Sequence, residues 1–198
     1  MRAPWSLYLY DVGILFVVLC TVALEIYSVQ RDATIALDGI SLQYFEVSGV
    51  DYQQLRQSIR IHGPRDLRGR KCFAYTEWKL EWNWPVSAAR RPVPSESTVT
   101  ARITVYLPRW KEYSSAPLRL QHKWDALLHA LHQHESGHVL SAQNGARTLQ
   151  KILRGQVQDV SSKRLNGIAR AFISGLYQFD ERYDRRSRGG RTQRVLFR

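Results

Sequence analysis

Sulfur is scarce in this chain: two of its 198 residues are cysteine. Cys20 lies in an apolar stretch near the N-terminus, which leaves Cys72 alone in the remainder. A single cysteine makes no internal disulfide, and without a C-x-x-C pair a thiolate zinc site is not expected. Proline is absent after Pro117, so no proline interrupts a helix in the C-terminal part. Acidic residues are also short, 17 against 29 Lys and Arg, a net charge of +12. Such a balance suits anionic partners: a membrane surface, a nucleic acid or an acidic polymer. Aromatics, however, are missing from Arg185 to Val195, where the arginines are densest. Base stacking has nothing to work with there, so nucleic acid is not expected and 185–198 reads as a solvated basic tail. There is no internal repeat. With 44% hydrophobic and 11% aromatic residues, the chain is not a disordered one and can build one domain with a core.

Long hydrophobic runs are limited to one. Val12 to Leu24 is apolar and uncharged, between Asp11 and Glu25. Thirteen residues of helix reach about 20 Å, short of a hydrocarbon core of about 30 Å. Counting from Leu7 to Tyr27 gives enough length, and Trp5, Tyr8, Tyr10 and Tyr27 resemble an interfacial aromatic belt. Residues 1–30 are therefore an N-terminal membrane anchor or a signal peptide, with Thr21-Val22-Ala23 as the small-residue cleavage site in the second case. We take the anchor, because the flanking positive charge is only Arg2 and the terminal amine. The body is then expected in the bacterial cell envelope, facing the periplasm, or secreted if the segment is cleaved. Residues 31–40 read as a linker.

What is present in the body alternates first and coils later. Ser41 to Ser48 reads as a strand with Leu42, Tyr44 and Val47 inward. Asp51 caps a helix from about Tyr52 to Ile61, and His62-Gly63-Pro64 ends it. Cys72 to Trp84 alternates, with Thr76, Trp78, Leu80, Trp82 and Trp84 on one face, as a half-buried antiparallel strand does. The tryptophan row reads as core more readily than as a ligand platform. Thr98 to Leu107 is the next strand, with Val99, Ala101, Ile103, Val105 and Leu107 inward and Pro108-Arg109-Trp110 closing it. Apolar residues then recur at spacings of three and four from Leu120 to Leu153, predicting a helix from about Leu118 to Arg154 with Gly155 as its stop. A last helix, about Ser161 to Tyr183, has Leu165, Ile168, Ala169, Phe172, Ile173, Leu176 and Tyr177 as its stripe. The expected class is α+β: a small antiparallel sheet packed with a long antiparallel helix hairpin, over 41–184.

The long helix contains His134-Glu135-Ser136-Gly137-His138. Residues four apart share one helix face, so the two imidazoles can grip one metal ion, with Zn–N bonds of about 2.0–2.1 Å. Glu135 then serves as a general base on the attacking water, as in H-E-x-x-H metalloproteases. Five of the six histidines fall between His122 and His138, and such crowding raises the odds of an accidental match; the helical context is what gives the pattern weight.

Catalytic zinc needs a third protein ligand. From His138 to Gly155 is 17 residues, or about 26 Å of helix. Returning that far from about Ser161 reaches about residue 178, so Asp180, Glu181 and Asp184 lie within two turns of the metal's level.

These residues carry a resemblance. The succession Tyr44-Phe45-Glu46-Val47-Ser48-Gly49, Leu55, Gly63-Pro64, Ala74-Tyr75-Thr76-Glu77-Trp78, Leu107-Pro108-Arg109-Trp110, Trp124, the H-E-x-x-H stretch and Tyr183-Asp184 resembles a bacterial family of predicted secreted zinc-dependent proteases catalogued only as a domain of unknown function. The resemblance spans about Ser41 to Arg194. It implies a zincin-like fold and metal-dependent peptidase activity. The family's C-terminal pattern runs Tyr-Asp-x-x-Thr-x-His-Gly, whereas this chain has Ser187 for the threonine and Gly189 for the histidine. If that histidine is the third ligand, this chain lacks it; if the aspartate is, the site is intact. We take Asp184, a hard carboxylate that zinc accepts. Tyr183 is either a transition-state donor or a structural ring. The expectation is a zinc peptidase with His134, His138 and Asp184 on Zn2+, Glu135 as general base and a peptide or protein as substrate. The strand ending at Leu107 is expected to offer its edge to that substrate. A non-catalytic metal-binding or partner-binding envelope protein on the same fold is the alternative.

Overall fold

The computed structural model describes residues 39–187. The anchor or signal peptide, nearly all of the linker, Gly189 and most of the basic tail lie outside the described residues. No helix among the described residues is long and apolar enough to cross a membrane.

The chain is α+β. In order it forms β1 (Ile40–Val47), α1 (Tyr52–His62), β2 (Tyr75–Asn83), β3 (Thr98–Trp110), α2 (Leu118–Arg154) and α3 (Ser162–Ser187). The strands form one sheet in the order β1-β3-β2. Local chemistry sets the ends. Asp51 accepts the backbone N–H of Gln54 at 2.9 Å and so caps α1. The Gly63 N–H returns to the Ile59 carbonyl at 2.7 Å and closes it. Gly155 ends α2 through its N–H to the Lys151 carbonyl at 3.0 Å.

Two expectations about the sheet need correction. The sheet is mixed, not antiparallel: β2 pairs antiparallel with β3, but β1 pairs parallel with it, Ile40 opposite Ile103 and Val47 opposite Trp110. Alternation of period two is common to both kinds of pairing, so the pattern is silent on direction. The parallel pair also carries β3 past its expected end. Ile103 donates its N–H to the carbonyl of Gly39, just before β1, and Lys111 donates to Val47 at its end. Pro108 is of the opposite parity, so its missing N–H falls on the β2 side, beyond the last β2 pair at Tyr75 and Tyr106. Proline therefore interrupts no ladder bond there. The second correction follows: β3 is the central strand, paired on both edges along Ile103 to Tyr106, so among the described residues the edge strand beside the long helix is β2.

The alternating faces are placed as read for β2 and β3. Trp78, Leu80, Ile103, Val105 and Leu107 are buried beneath the sheet against Trp124, Leu127 and Leu131 of α2. Each side chain of that size contributes roughly 1.5–3 kcal/mol on full burial. On β1 the inward residue is Val47, whereas Tyr44 is exposed, contrary to expectation. Val47 and Phe45 share parity, and Tyr44 necessarily faces away from them. Helix α1 packs Leu55 and Ile59 against this core, and α3 adds Leu165 and Ala169. Helices α2 and α3 approach closely at Gly137 with Tyr183 and at Gly145 with Leu176.

Candidate metal centre

The middle of α2 buries three ionisable side chains in succession. His134, Glu135 and His138 are all less than a tenth exposed. They continue the face that buries Leu127 and Leu131, so the helical period that makes the core also makes the site. Their polar partners come from β2 and α3.

Asp184 meets both imidazoles. Its Oδ1 lies 3.2 Å from His134 Nε2 and 3.0 Å from His138 Nε2. One donor atom from each of the three residues lies within 4.8 Å of the others. Donors held about 2.0–2.1 Å from a tetrahedral ion are separated by about 3.3 Å. The two imidazole–carboxylate distances have that size, and the three donors together form a group that could hold a metal ion. The same distances also suit a shared proton. Burial alone would lower the His138 pKa, but the Asp180 and Asp184 carboxylates outweigh it and lift it to about 10. Desolvation would raise Asp184, but the two imidazoles hold it well below the usual carboxylate range.

Glu135 is engaged from β2. Its Oε2 accepts a hydrogen bond from the Thr76 hydroxyl at 2.7 Å. Burial pushes its pKa up against the opposing pull of that hydroxyl and of the imidazoles. A carboxyl raised in this way is a better proton carrier near neutral pH than an exposed one. Thr76 was visible in the sequence as an inward member of β2, but its role was not. The signal was a hydroxyl in a row otherwise aromatic or aliphatic.

The acidic cluster expected at the end of α3 is divided by the structure. Asp184 faces both histidines. Asp180 is buried, with Oδ2 accepting the Trp78 indole N–H at 2.7 Å and Oδ1 3.6 Å from His138 Nδ1. Glu181 faces outward and pairs with Arg68 at 2.6 Å. Of the remaining histidines, His122 and His129 are exposed. His132 is outside the cluster, and burial lowers its pKa to about 4.

Tyr183 is the ring between the two ligand candidates. It stacks on His134 with centroids 5.2 Å apart and meets His138 edge-on at 5.0 Å. Its hydroxyl donates to the His134 backbone carbonyl at 3.2 Å. That engagement fits the structural role. It also explains Gly137, which sequence reasoning left as an unspecified position of the motif. A Cβ there would meet the Tyr183 ring, with Cε1 at 2.9 Å and the hydroxyl closer still. An isolated glycine inside a helical pattern was the signal available.

An open groove of about 440 Å³ runs between α3 and the Trp82 end of β2, lined by Trp82, Arg170, Ile173, Tyr177 and Glu181. Tyr177 stacks on Trp78 with centroids 4.4 Å apart, which joins the groove to the indole that holds Asp180.

No curated protein and no solved structure matches the chain. One family model does, over residues 42–190, and its description is "Bacterial protein of unknown function (DUF922)". That description names no zinc and no protease. The match takes in the H-E-x-x-H stretch and Tyr183-Asp184 together and covers about three quarters of the chain, so the chain belongs to the bacterial family of unknown function DUF922.

Proposed function

We propose that this protein is a zinc-dependent peptidase of the bacterial cell envelope. The observation that carries the reading is the convergence of His134 Nε2 and His138 Nε2 on Asp184 Oδ1, beside the buried carboxylate of Glu135. His134, His138 and Asp184 would hold the ion. Zinc bound there supplies Lewis acidity and lowers the pKa of water. Glu135 takes a proton from the attacking water and returns it to the leaving amine, while the Thr76 hydroxyl keeps its carboxylate oriented. The fold would be zincin-like. In support, the contacts of α2 with α3 run in opposite order, Gly137 to Tyr183 and Gly145 to Leu176, as in an antiparallel hairpin. The edge of β2 that pairs with no strand among the described residues would receive the extended backbone of a peptide or protein substrate, since Thr76 and Trp78 of that strand touch the centre. Residues 1–30 would hold the enzyme at the inner membrane facing the periplasm, or direct its secretion once cleaved. The surplus of arginine favours an anionic surface.

The test is zinc stoichiometry of the purified full chain, together with cleavage of a casein-type substrate. Glu135→Gln should keep the zinc and lose about 10²–10⁴ in turnover. Undiminished cleavage by that variant would remove Glu135 from the mechanism. One observation favours a second reading, a metal-binding protein without turnover: the Tyr183 hydroxyl is already engaged by the His134 carbonyl. Stoichiometric zinc with no cleavage in the wild type selects it.

A further inference from the structure

We infer that Asp180 is the positioning residue for His138, and that the Trp78 indole in turn positions Asp180. This rests on the metal reading above and goes beyond its ligand set. Asp180 lies four residues before Asp184, one turn along α3, so both carboxylates face α2. They reach the two nitrogens of one imidazole: Asp184 Oδ1 is 3.0 Å from His138 Nε2, and Asp180 Oδ1 is 3.6 Å from Nδ1.

The two oxygens of Asp180 are used differently. Oδ2 accepts the Trp78 indole N–H at 2.7 Å. Oδ1 is buried and has no hydrogen-bond partner among the described residues. A buried carboxylate oxygen without a donor is unfavourable, and the His138 ring nitrogen Nδ1 stands 3.6 Å from it. A small rotation of that ring brings Nδ1–H onto Oδ1. An imidazole that donates from Nδ1 presents the lone pair of Nε2, and Nε2 is the atom that faces Asp184 and His134.

Trp78 is suited to hold the carboxylate still. It is 6% exposed. Its ring is stacked on Tyr177 of α3 at an interplanar angle of 17°. The indole has one donor and spends it on Asp180. Edge strand β2 thus reaches the centre by two routes, Thr76 to Glu135 and Trp78 through Asp180 to His138.

The experiment uses the metal-free full chain titrated with zinc against a chromogenic chelator. Asp180→Asn is the informative variant, because an amide oxygen still accepts the indole N–H while its NH2 group cannot accept from Nδ1. Zinc affinity should fall by about 10–100-fold. The melting temperature of the metal-free variant should stay near that of the wild type. In the zinc-loaded wild type the His138 Nδ1–H resonance should be protected from exchange, and in Asp180→Asn that protection should be lost. Trp78→Phe should weaken zinc in the same direction, and should add nothing further in the Asp180→Asn background. Zinc affinity within twofold of the wild type in Asp180→Asn overturns the inference. If that variant does not fold, unchanged affinity in Trp78→Phe overturns it instead. A wild type that takes up no zinc fails at the earlier step and sinks the metal reading first.

Discussion

Helix α2 buries two adjoining stretches by different means. From Trp124 to Leu131 it packs the large apolar side chains Trp124, Leu127 and Leu131 into the core beneath the sheet. From His134 to His138 the same face is filled with two imidazoles and a carboxylate, each answered by a polar group from another element. The apolar stretch is held by many weak contacts that neighbours can redistribute. The polar stretch is held by a few bonds, each from a single residue on β2 or α3, and an orphaned partner there stays buried. Stability should therefore concentrate in the first stretch and ion binding in the second.

The largest effect tests the first half of that contrast. Trp124→Ala should destabilise the metal-free protein by about 3–5 kcal/mol, because a 1% exposed indole leaves a cavity that its neighbours only partly fill. Denaturant unfolding reads this. Zinc affinity of the folded fraction should change little, and a parallel loss of both would join the two stretches into one unit. Next comes Asp184→Ala. Removing a ligand should weaken zinc by more than about 100-fold, since losing even an outer partner can reach that value. The metal-free fold should lose less than Trp124→Ala costs, about 1–3 kcal/mol, because the two imidazoles left behind stay buried.

Gly137→Ala sits at the seam. Crowding the Tyr183 ring should cost about 1–3 kcal/mol. The gain in helix propensity offsets at most about 1 kcal/mol of that. In a Tyr183→Ala background the clash is gone and the same substitution should become stabilising. A penalty that survives there would mean that Gly137 serves something other than the ring.

How much of this was legible follows from which periods are unambiguous. The bounds of α2 agree with the reading from Leu120 to Leu153, because an apolar recurrence of three and four has one structural meaning and Pro117 and Gly155 bracket it. The inward rows of β2 and β3 were legible for the same reason. The direction of β1 was not: its pairing with β3 depends on where α1 returns the chain, which alternation does not encode. At the centre, the rise per residue brought Asp180, Glu181 and Asp184 to the right level on α3 but left their rotation open. Near Tyr183 the apolar stripe of α3 has ended, so nothing in the pattern tells the facing carboxylate from the outward one. The Trp78 and Tyr183 contacts depend on ring placement between elements, which spacing along one element does not contain.

Glu181 supplies the smallest effect and the sharpest control on the comparison. It lies between Asp180 and Asp184 in sequence and has the same charge, yet it faces solvent and pairs with Arg68, the two side chains 47% and 58% exposed. An exposed pair of that kind contributes about 0–1 kcal/mol, and less as salt rises. Glu181→Ala should therefore shift the unfolding midpoint barely, and should leave zinc affinity within about twofold. If charge near the centre were what mattered, Glu181→Ala would weaken zinc as Asp184→Ala does, because all three carboxylates lie within a turn or so of one another. If burial and direction matter, only the carboxylates turned toward α2 respond. A large zinc effect at Glu181 would show a general field of negative charge at work, and would dissolve the distinction between a stretch held by specific polar bonds and one held by packing.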